Sequence, residues 1–364
     1  MSAHANDDPR DRNGTRTSRG LLERLESGTV ICAEGYLFEL ERRGYLQAGT
    51  FVPEVVLEHP GALAQFHREL VRAGSDVIEA FTYYAHREKL RLIGKEHLLE
   101  PMNRRAIELA HEVAAEFPHD PPLVAGNLAN TNTYRPDDPR TAAEASGMFA
   151  EQARWAAEGG VDYLIGETFY YAHEAELALE AMSETGLPAV VTFGLPATGV
   201  LLDDIEVEAA CVRLAERGAA VVGLNCFRGF DTILPALRGI RAAVDVPVAA
   251  LPVPYRTTAQ QPTFFTLRDS DHAALGDGRP FPLALEPFQC NRFEAAAFAD
   301  TAREAGISYL GLCCGAAPHH IRAMAEALGR TRPASSYAPD MSKHFAFGTD
   351  PSLASHHEEV AASL

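Results

Sequence analysis

Short apolar runs rich in β-branched residues recur along the chain and alternate with amphipathic segments. Eight such runs can be read: TVICAEG from Thr29, DVIEAFTYY from Asp76, PLVAGNLA from Pro122, DYLIGETFYY from Asp162, PAVVTFGLP from Pro188, AVVGLNCF from Ala220, VPVAALPVP from Val246 and SYLGLCCG from Ser308. Their apolar continuity fits parallel strands buried on both faces. Stretches of helical period lie between them, among them HPGALAQFHRELVRAG, AAEASGMFAEQARWAAEGG, EVEAACVRLAERGA and RFEAAAFADTAREAG. Each closes at or beside a glycine, a frequent helix stop. Eight strand–helix units predict an α/β fold of the (β/α)8 TIM-barrel type. A doubly wound open sheet is disfavoured, because no GxGxxG follows the first run and the eight-fold count favours closure. The reading assigns a disordered lead to residues 1–19, a single barrel domain to 20–330 and a C-terminal arm to 331–364.

Composition narrows the partners. The chain has 364 residues and a formal net charge of -18, which argues against nucleic acid or an anionic membrane surface. No apolar run approaches the ~20 residues of a membrane span, and the first residues lack the apolar core of a secretory signal. Six cysteines in a chain this long do not make a disulfide framework, so a cytoplasmic protein with reduced thiols is expected.

In TIM barrels the chemistry sits at the carboxyl ends of the strands. Those ends carry Glu34, then Glu79, Thr82 and Tyr84, then Asn127 and Asn130, Glu167, Asn225 and Cys226, and finally Cys313 and Cys314. Adjacent side chains on a regular strand point to opposite faces, so two neighbouring thiols can share a centre only where the strand ends. Gly315 supplies that break. Cys226, Cys313 and Cys314 together make a three-thiolate zinc pattern with one open position. Any one cysteine alone is more often a small buried hydrophobe, and Cys32, Cys211 and Cys290 are assigned to packing. A zinc with three thiolates carries a charge of about −1, which suits activation of an incoming thiol better than activation of water. The electrophile would then be an activated methyl group taken by in-line displacement, where positioning lowers the barrier.

Other chemistries fit less well. A Schiff-base aldolase needs a strand-end lysine, and Lys89, Lys95 and Lys343 are not at strand ends. A barrel phosphate site would place glycine-rich loops after the last two strands, where the double cysteine stands. A barrel that binds zinc or a thiol without turnover remains the alternative, as does a different thiol acceptor.

GLNC at 223–226 and GLCCG at 311–315 resemble the zinc motifs of the homocysteine S-methyltransferase family. FELERRGYLQAG, EHPGALAQFHRELVRAGSDV, FTYYAHREKL, ALEPFQCNRFE and PHHIRAMAEAL resemble its betaine–homocysteine branch over nearly the whole barrel. The resemblance implies a zinc-dependent enzyme moving a methyl group from an onium donor, betaine-like or sulfonium, to a thiol, typically homocysteine to give methionine. It implies zinc on Cys226, Cys313 and Cys314, Glu167 on the substrate amino group, and Tyr84 beside metal and donor. In that branch the counterpart of Tyr84 can take the open metal position when substrate is absent.

Four positions depart from the family pattern. Ala33-Glu34-Gly35 stands where the family has Asp-Gly-Gly, and Glu34 is expected to take over from the aspartate. Ala80 replaces a substrate-holding threonine, Phe51 a tryptophan of the betaine cage, and Thr168 a tyrosine. The donor wall is expected from Tyr84 and Phe51 with one aromatic from Phe169 to Tyr171. The long excursion from Tyr255 to Pro287 is expected to act as a lid over the donor. His319 and His320 read as solvated residues at a helix start, and Trp155 as packing. Asn127 and Asn130 could position substrate or only bond loop backbone. By the same resemblance, the C-terminal arm implies a homo-oligomer.

Overall fold

All eight apolar runs form strands: β1 Val30–Ala33, β2 Val77–Glu79, β3 Leu123–Ala129, β4 Tyr163–Phe169, β5 Ala189–Phe193, β6 Val221–Asn225, β7 Val248–Leu251 and β8 Tyr309–Leu312. In the computed structural model, which describes residues 19–271, 276–331, 339–353 and 357–364, each strand pairs in parallel with the next. β8 returns to β1, with Val30 opposite Tyr309 and Ala33 opposite Leu312. The sheet is therefore a closed barrel in sequential strand order. With helices packed around it, this is the TIM barrel that the strand count implied.

The two-residue period of a strand sorts every run into two layers. Val30, Cys32, Val77, Leu123, Tyr163, Ile165 and Tyr309 fill the barrel interior. The alternate positions, such as Ile31, Ile78, Val124, Leu164 and Leu310, pack outward against the helices. Leu21 and Leu25 of the first described helix, Leu21–Ser27, join the inner cluster and close the amino-terminal end. Across the interior the hydroxyls of Tyr163 and Tyr309 bond each other at 2.8 Å, so neither is stranded in the apolar floor.

Outside the sheet, helix Pro60–Ala73 stops at Gly74, whose left-handed backbone returns its N–H to Leu70 and Val71. Helix Arg292–Glu304 starts with Asn291, which caps Phe293 and Glu294 while Glu294 reaches back. Trp155 is buried on helix Pro139–Glu158, as packing requires.

The described part of the excursion after β7 packs on the barrel mouth. Tyr255 pairs antiparallel with Gln289, and Phe264, Leu267 and Leu285 are buried. No helix among the described residues is long and apolar enough to cross a membrane. The expected disordered lead lies, but for Arg19, outside the described residues, as do parts of the arm. In the described part of the arm, Met341, Phe345 and Phe347 are exposed.

Candidate active site

The three strand-end cysteines converge. Cys226 follows β6, Cys313 and Cys314 follow β8, and their sulfurs lie within 4.8 Å of one another in a buried group. The backbone holds them there. Cys226 N–H donates to Leu251 at 2.8 Å and Cys313 N–H to Pro252 at 2.9 Å, so both loops hang from the end of β7. Cys226 and Phe227 adopt left-handed backbone (φ 55° and 52°) and Gly315 follows at 91°. These turns break the strand alternation and let Cys313 and Cys314 share a centre. Gly315 admits no side chain: a Cβ there would lie 2.3 Å from the Tyr255 hydroxyl oxygen.

The sulfurs perturb one another. Burial opposes ionisation of Cys226, but the neighbouring thiols and two backbone N–H groups outweigh it and hold this thiol well below the usual cysteine range. Cys313 is held well above that range by burial and by Cys226, and Cys314 chiefly by its bond to Cys226. All six cysteines are unpaired, and three convergent soft sulfur donors are the donor set of a zinc site.

Beside the sulfurs lies a buried cluster of carboxyls. Glu34, Glu79 and Glu167 each stand two residues beyond an inward-facing residue of β1, β2 or β4, and so point inward themselves. Carboxylate oxygens of Glu34 and Glu167 lie within 4.8 Å of each other and of the Cys313 sulfur. Asn127 donates to Glu167 at 2.6 Å and also to Glu79. Asn225 donates to Glu167 at 2.6 Å and to the Thr168 hydroxyl at 2.8 Å, with the Cys313 sulfur 3.8 Å away. Its own carbonyl accepts from Thr168 N–H and the Thr192 hydroxyl. Burial, reinforced by Glu167, pushes Glu34 and Glu79 well above the usual carboxylate range. Burial also raises Glu167, to about 7, against the opposing bond from Asn127.

Aromatic side chains surround the mouth. Tyr84, again left-handed (φ 60°), packs on Tyr83 at 4.4 Å and on His86 at 5.8 Å. The Lys89 ammonium sits over its ring at 3.9 Å. Its phenol is raised by burial, against opposing hydrogen bonds with Asn132 and Tyr83. Tyr170 stacks on Phe227 at 6.4 Å and donates to Asn130 at 3.1 Å. Phe227 in turn meets Phe265 of the excursion edge-on at 5.0 Å.

A family model for homocysteine S-methyltransferase matches residues 31–328. The chain belongs to the homocysteine S-methyltransferase family. Betaine--homocysteine S-methyltransferase 1 of Danio rerio is 38% identical over 337 residues, covering 92% of this chain and 81% of that protein. S-methylmethionine--homocysteine S-methyltransferase BHMT2 of Pongo abelii is 36% identical over 333 residues, covering 91% of this chain and 86% of the relative. The metallated form of the homocysteine methyltransferase MmuM from Escherichia coli has the same fold, with TM-score 0.65 at 20% identity over 85% of this chain and 98% of that one. The three-cysteine cluster fits the zinc site of the homocysteine S-methyltransferase family.

Within this family frame the expected residues divide. Cys226, Cys313, Cys314, Glu34 and Glu167 form one connected group, with Tyr84 at its edge. Phe51 stands apart: its ring contact is Phe38, at 6.0 Å, rather than Tyr84. Of the three aromatics after β4's glutamate, Phe169 is fully buried and packs outward on Phe149, while Tyr170 meets the mouth. His320 is not solvated. It is fully buried, with Nδ1 accepting from Ala317 and Nε2 2.8 Å from the Cys290 carbonyl, and burial lowers it to about 4.

Asn127 serves the carboxyls and Asn130 bonds the Thr168 carbonyl. Glu79 and Asn225 stood among the strand-end residues without an assigned role, and Phe227 was not singled out. Inward parity on β2 and β6 flags the first two, and adjacency to Cys226 flags the third.

Proposed function

We propose that this homocysteine S-methyltransferase family enzyme holds zinc on Cys226, Cys313 and Cys314 and transfers a methyl group from an onium donor to a thiol, with homocysteine the leading acceptor. The observation that carries the reading is the convergence of three buried sulfurs beside a buried cluster of carboxyls. Zinc bound there would keep an acceptor thiol ionised at neutral pH. Glu34 and Glu167 would pair the acceptor's ammonium, which needs a charged partner once buried. Asn127 and Asn225 fix the Glu167 carboxylate by one bond to each oxygen, so that the acceptor is held in a single orientation.

Tyr84, Tyr170 and Phe227 supply an apolar wall from which water is displaced, where cation–π attraction to an onium group is worth about 2 kcal/mol. The acceptor sulfur forms a bond to the methyl carbon as the donor's carbon–nitrogen or carbon–sulfur bond breaks. The bonding pair leaves with the donor atom, which becomes neutral, and the thiol proton passes to solvent. Two relatives of nearly equal identity are named for betaine and for S-methylmethionine, and betaine is the leading donor here. The exposed Met341, Phe345 and Phe347 of the arm are proposed to meet a second copy of the chain.

Metal analysis and a donor screen test the reading. Purified protein should carry about one zinc per chain, and alanine at Cys226, Cys313 or Cys314 should remove most zinc and all transfer detected by mass spectrometry. Alanine at Cys211 or Cys290 should change neither. Full zinc content in the Cys313→Ala, Cys314→Ala double variant would defeat the assignment.

A further inference from the structure

Three acids from three different strands meet beside the cysteines, and their hydrogen bonding is incomplete. Among the described residues, no amide, hydroxyl or amine donor reaches either oxygen of Glu34 or Oε2 of Glu79, and Oδ1 of Asn127 is buried without a partner. The side-chain donors to Glu79 and Glu167 are the amides of Asn127 and Asn225 and the Thr168 hydroxyl, and none of them is cationic. Oxygens of Glu34 and Glu79 lie within 4.8 Å of each other, as do those of Glu34 and Glu167. A buried acidic network left half satisfied is costly, and the crowding of three carboxyls disfavours ionising more than one of them. The arrangement makes sense as a receptacle whose missing donors arrive with a ligand.

We propose that Glu79 is a specificity-determining residue of the acceptor pocket, completing with Glu34 and Glu167 a three-sided receptacle for a free primary ammonium on the thiol. The inference rests on the acceptor reading given under Proposed function. A primary ammonium brings positive charge and three N–H donors, one for each carboxyl. Asn127 couples two of the three walls, because the same amide nitrogen reaches Glu79 and Glu167. A thiol lacking the amine, or carrying it acylated, leaves the open oxygens unpaired, and sites built for a missing polar group reject such analogues strongly.

Glu79 also works against the stability of the ligand-free barrel, since it adds a third acid to a group without a cation. A residue with a purely structural role would show the opposite sign. Glutamine at this position keeps the shape and an acceptor for Asn127 while removing the ionisable carboxyl.

Zinc-loaded protein is titrated calorimetrically with homocysteine, N-acetylhomocysteine and 4-mercaptobutyrate, and the ligand-free melting temperature is measured in parallel. Homocysteine should bind roughly a hundredfold tighter than the other two. Glu79→Gln should weaken homocysteine by about tenfold, leave 4-mercaptobutyrate unchanged, keep its zinc, and raise the ligand-free melting temperature by about 2 °C. Glu79→Asp, which keeps an ionisable carboxyl and withdraws it, should weaken homocysteine without raising the melting temperature. Thiol binding indifferent to the amine, or homocysteine affinity unchanged in Glu79→Gln, overturns this inference alone. No binding of any thiol overturns it together with the acceptor reading.

Discussion

Gly315 shows how much one position can decide. Its φ of 91° lies where a side chain is strained, and a Cβ would meet the Tyr255 hydroxyl at 2.3 Å. That hydroxyl also accepts from Arg42 at 2.8 Å, so it is not free to retreat. Gly315→Ala should therefore cost about 1–3 kcal/mol and displace the adjacent Cys314, lowering zinc content. Gly186→Ala is the control: its φ is 74° but nothing lies within 4 Å of its would-be Cβ. Alanine there should destabilise without loss of zinc. Equal metal loss in both variants, read by metal analysis beside urea unfolding, would show that the Tyr255 contact has no part in shaping the site. Individual residues were unevenly legible. The cysteines announced themselves by type and by position after strands. Glu34 was compared with a motif position one residue earlier, yet its place two residues beyond Cys32 already aims it inward. Which of Phe51, Phe169, Tyr170 and Tyr171 turns towards the mouth was not legible, because the direction of a loop or strand-end ring depends on neighbours that sequence does not list.

The strands were readable because double burial leaves an uninterrupted apolar run, and eight such runs admit few architectures. The excursion after β7 was not readable in this way, since it has no period. Its structure comes from tertiary contacts between aromatic residues distant in sequence: Phe264 meets Phe38 at 5.9 Å and Phe281 at 5.2 Å, and Phe265 meets Phe227 at 5.0 Å. The last contact gives the element a route to the site, because Phe227 follows Cys226 directly and stacks on Tyr170. Removing Phe265 should let that ring pair loosen while the sulfurs stay in place. An aromatic pair is worth about 0.5–1.5 kcal/mol. Phe265→Ala is accordingly expected to raise the donor KM by roughly three- to tenfold, with unchanged zinc content and unchanged acceptor affinity. A shift in acceptor affinity instead would mean that the excursion acts on the acidic pocket and not on the donor wall.

At the scale of the whole molecule, buried titratable groups on opposite sides of neutrality set the pH range in which the barrel holds together. His67 is fully buried, with Nδ1 3.1 Å from the Tyr36 hydroxyl and Nε2 unpartnered. Burial, then the charge of Arg68, lowers it to about 3. His86 is lowered to about 3 by burial and Lys89. Both fall below the ordinary histidine value of about 6.5, so the unfolded chain takes up protons that the folded chain refuses. Their contribution to stability is complete above pH ~6.5 and is lost progressively as pH falls towards about 3, at about 1.4 kcal/mol per pH unit per histidine. The acidic pocket has the opposite sign. The folded values of Glu34, Glu79 and Glu167 are raised, so their contribution is present below about 4.5 and is lost as pH rises through the folded values. Glu167 reaches that point at about 7. The two groups offset each other between about pH 4.5 and 6.5, and below that the histidines act alone. His67→Gln keeps an acceptor for Tyr36 but cannot charge. Urea unfolding of parent and variant followed from pH 7 to pH 4 should differ in slope by about one proton, the variant losing less stability relative to the parent as pH falls. An unchanged slope would mean that His67 is protonated in the folded barrel, and that burial at this position does not exclude the charge.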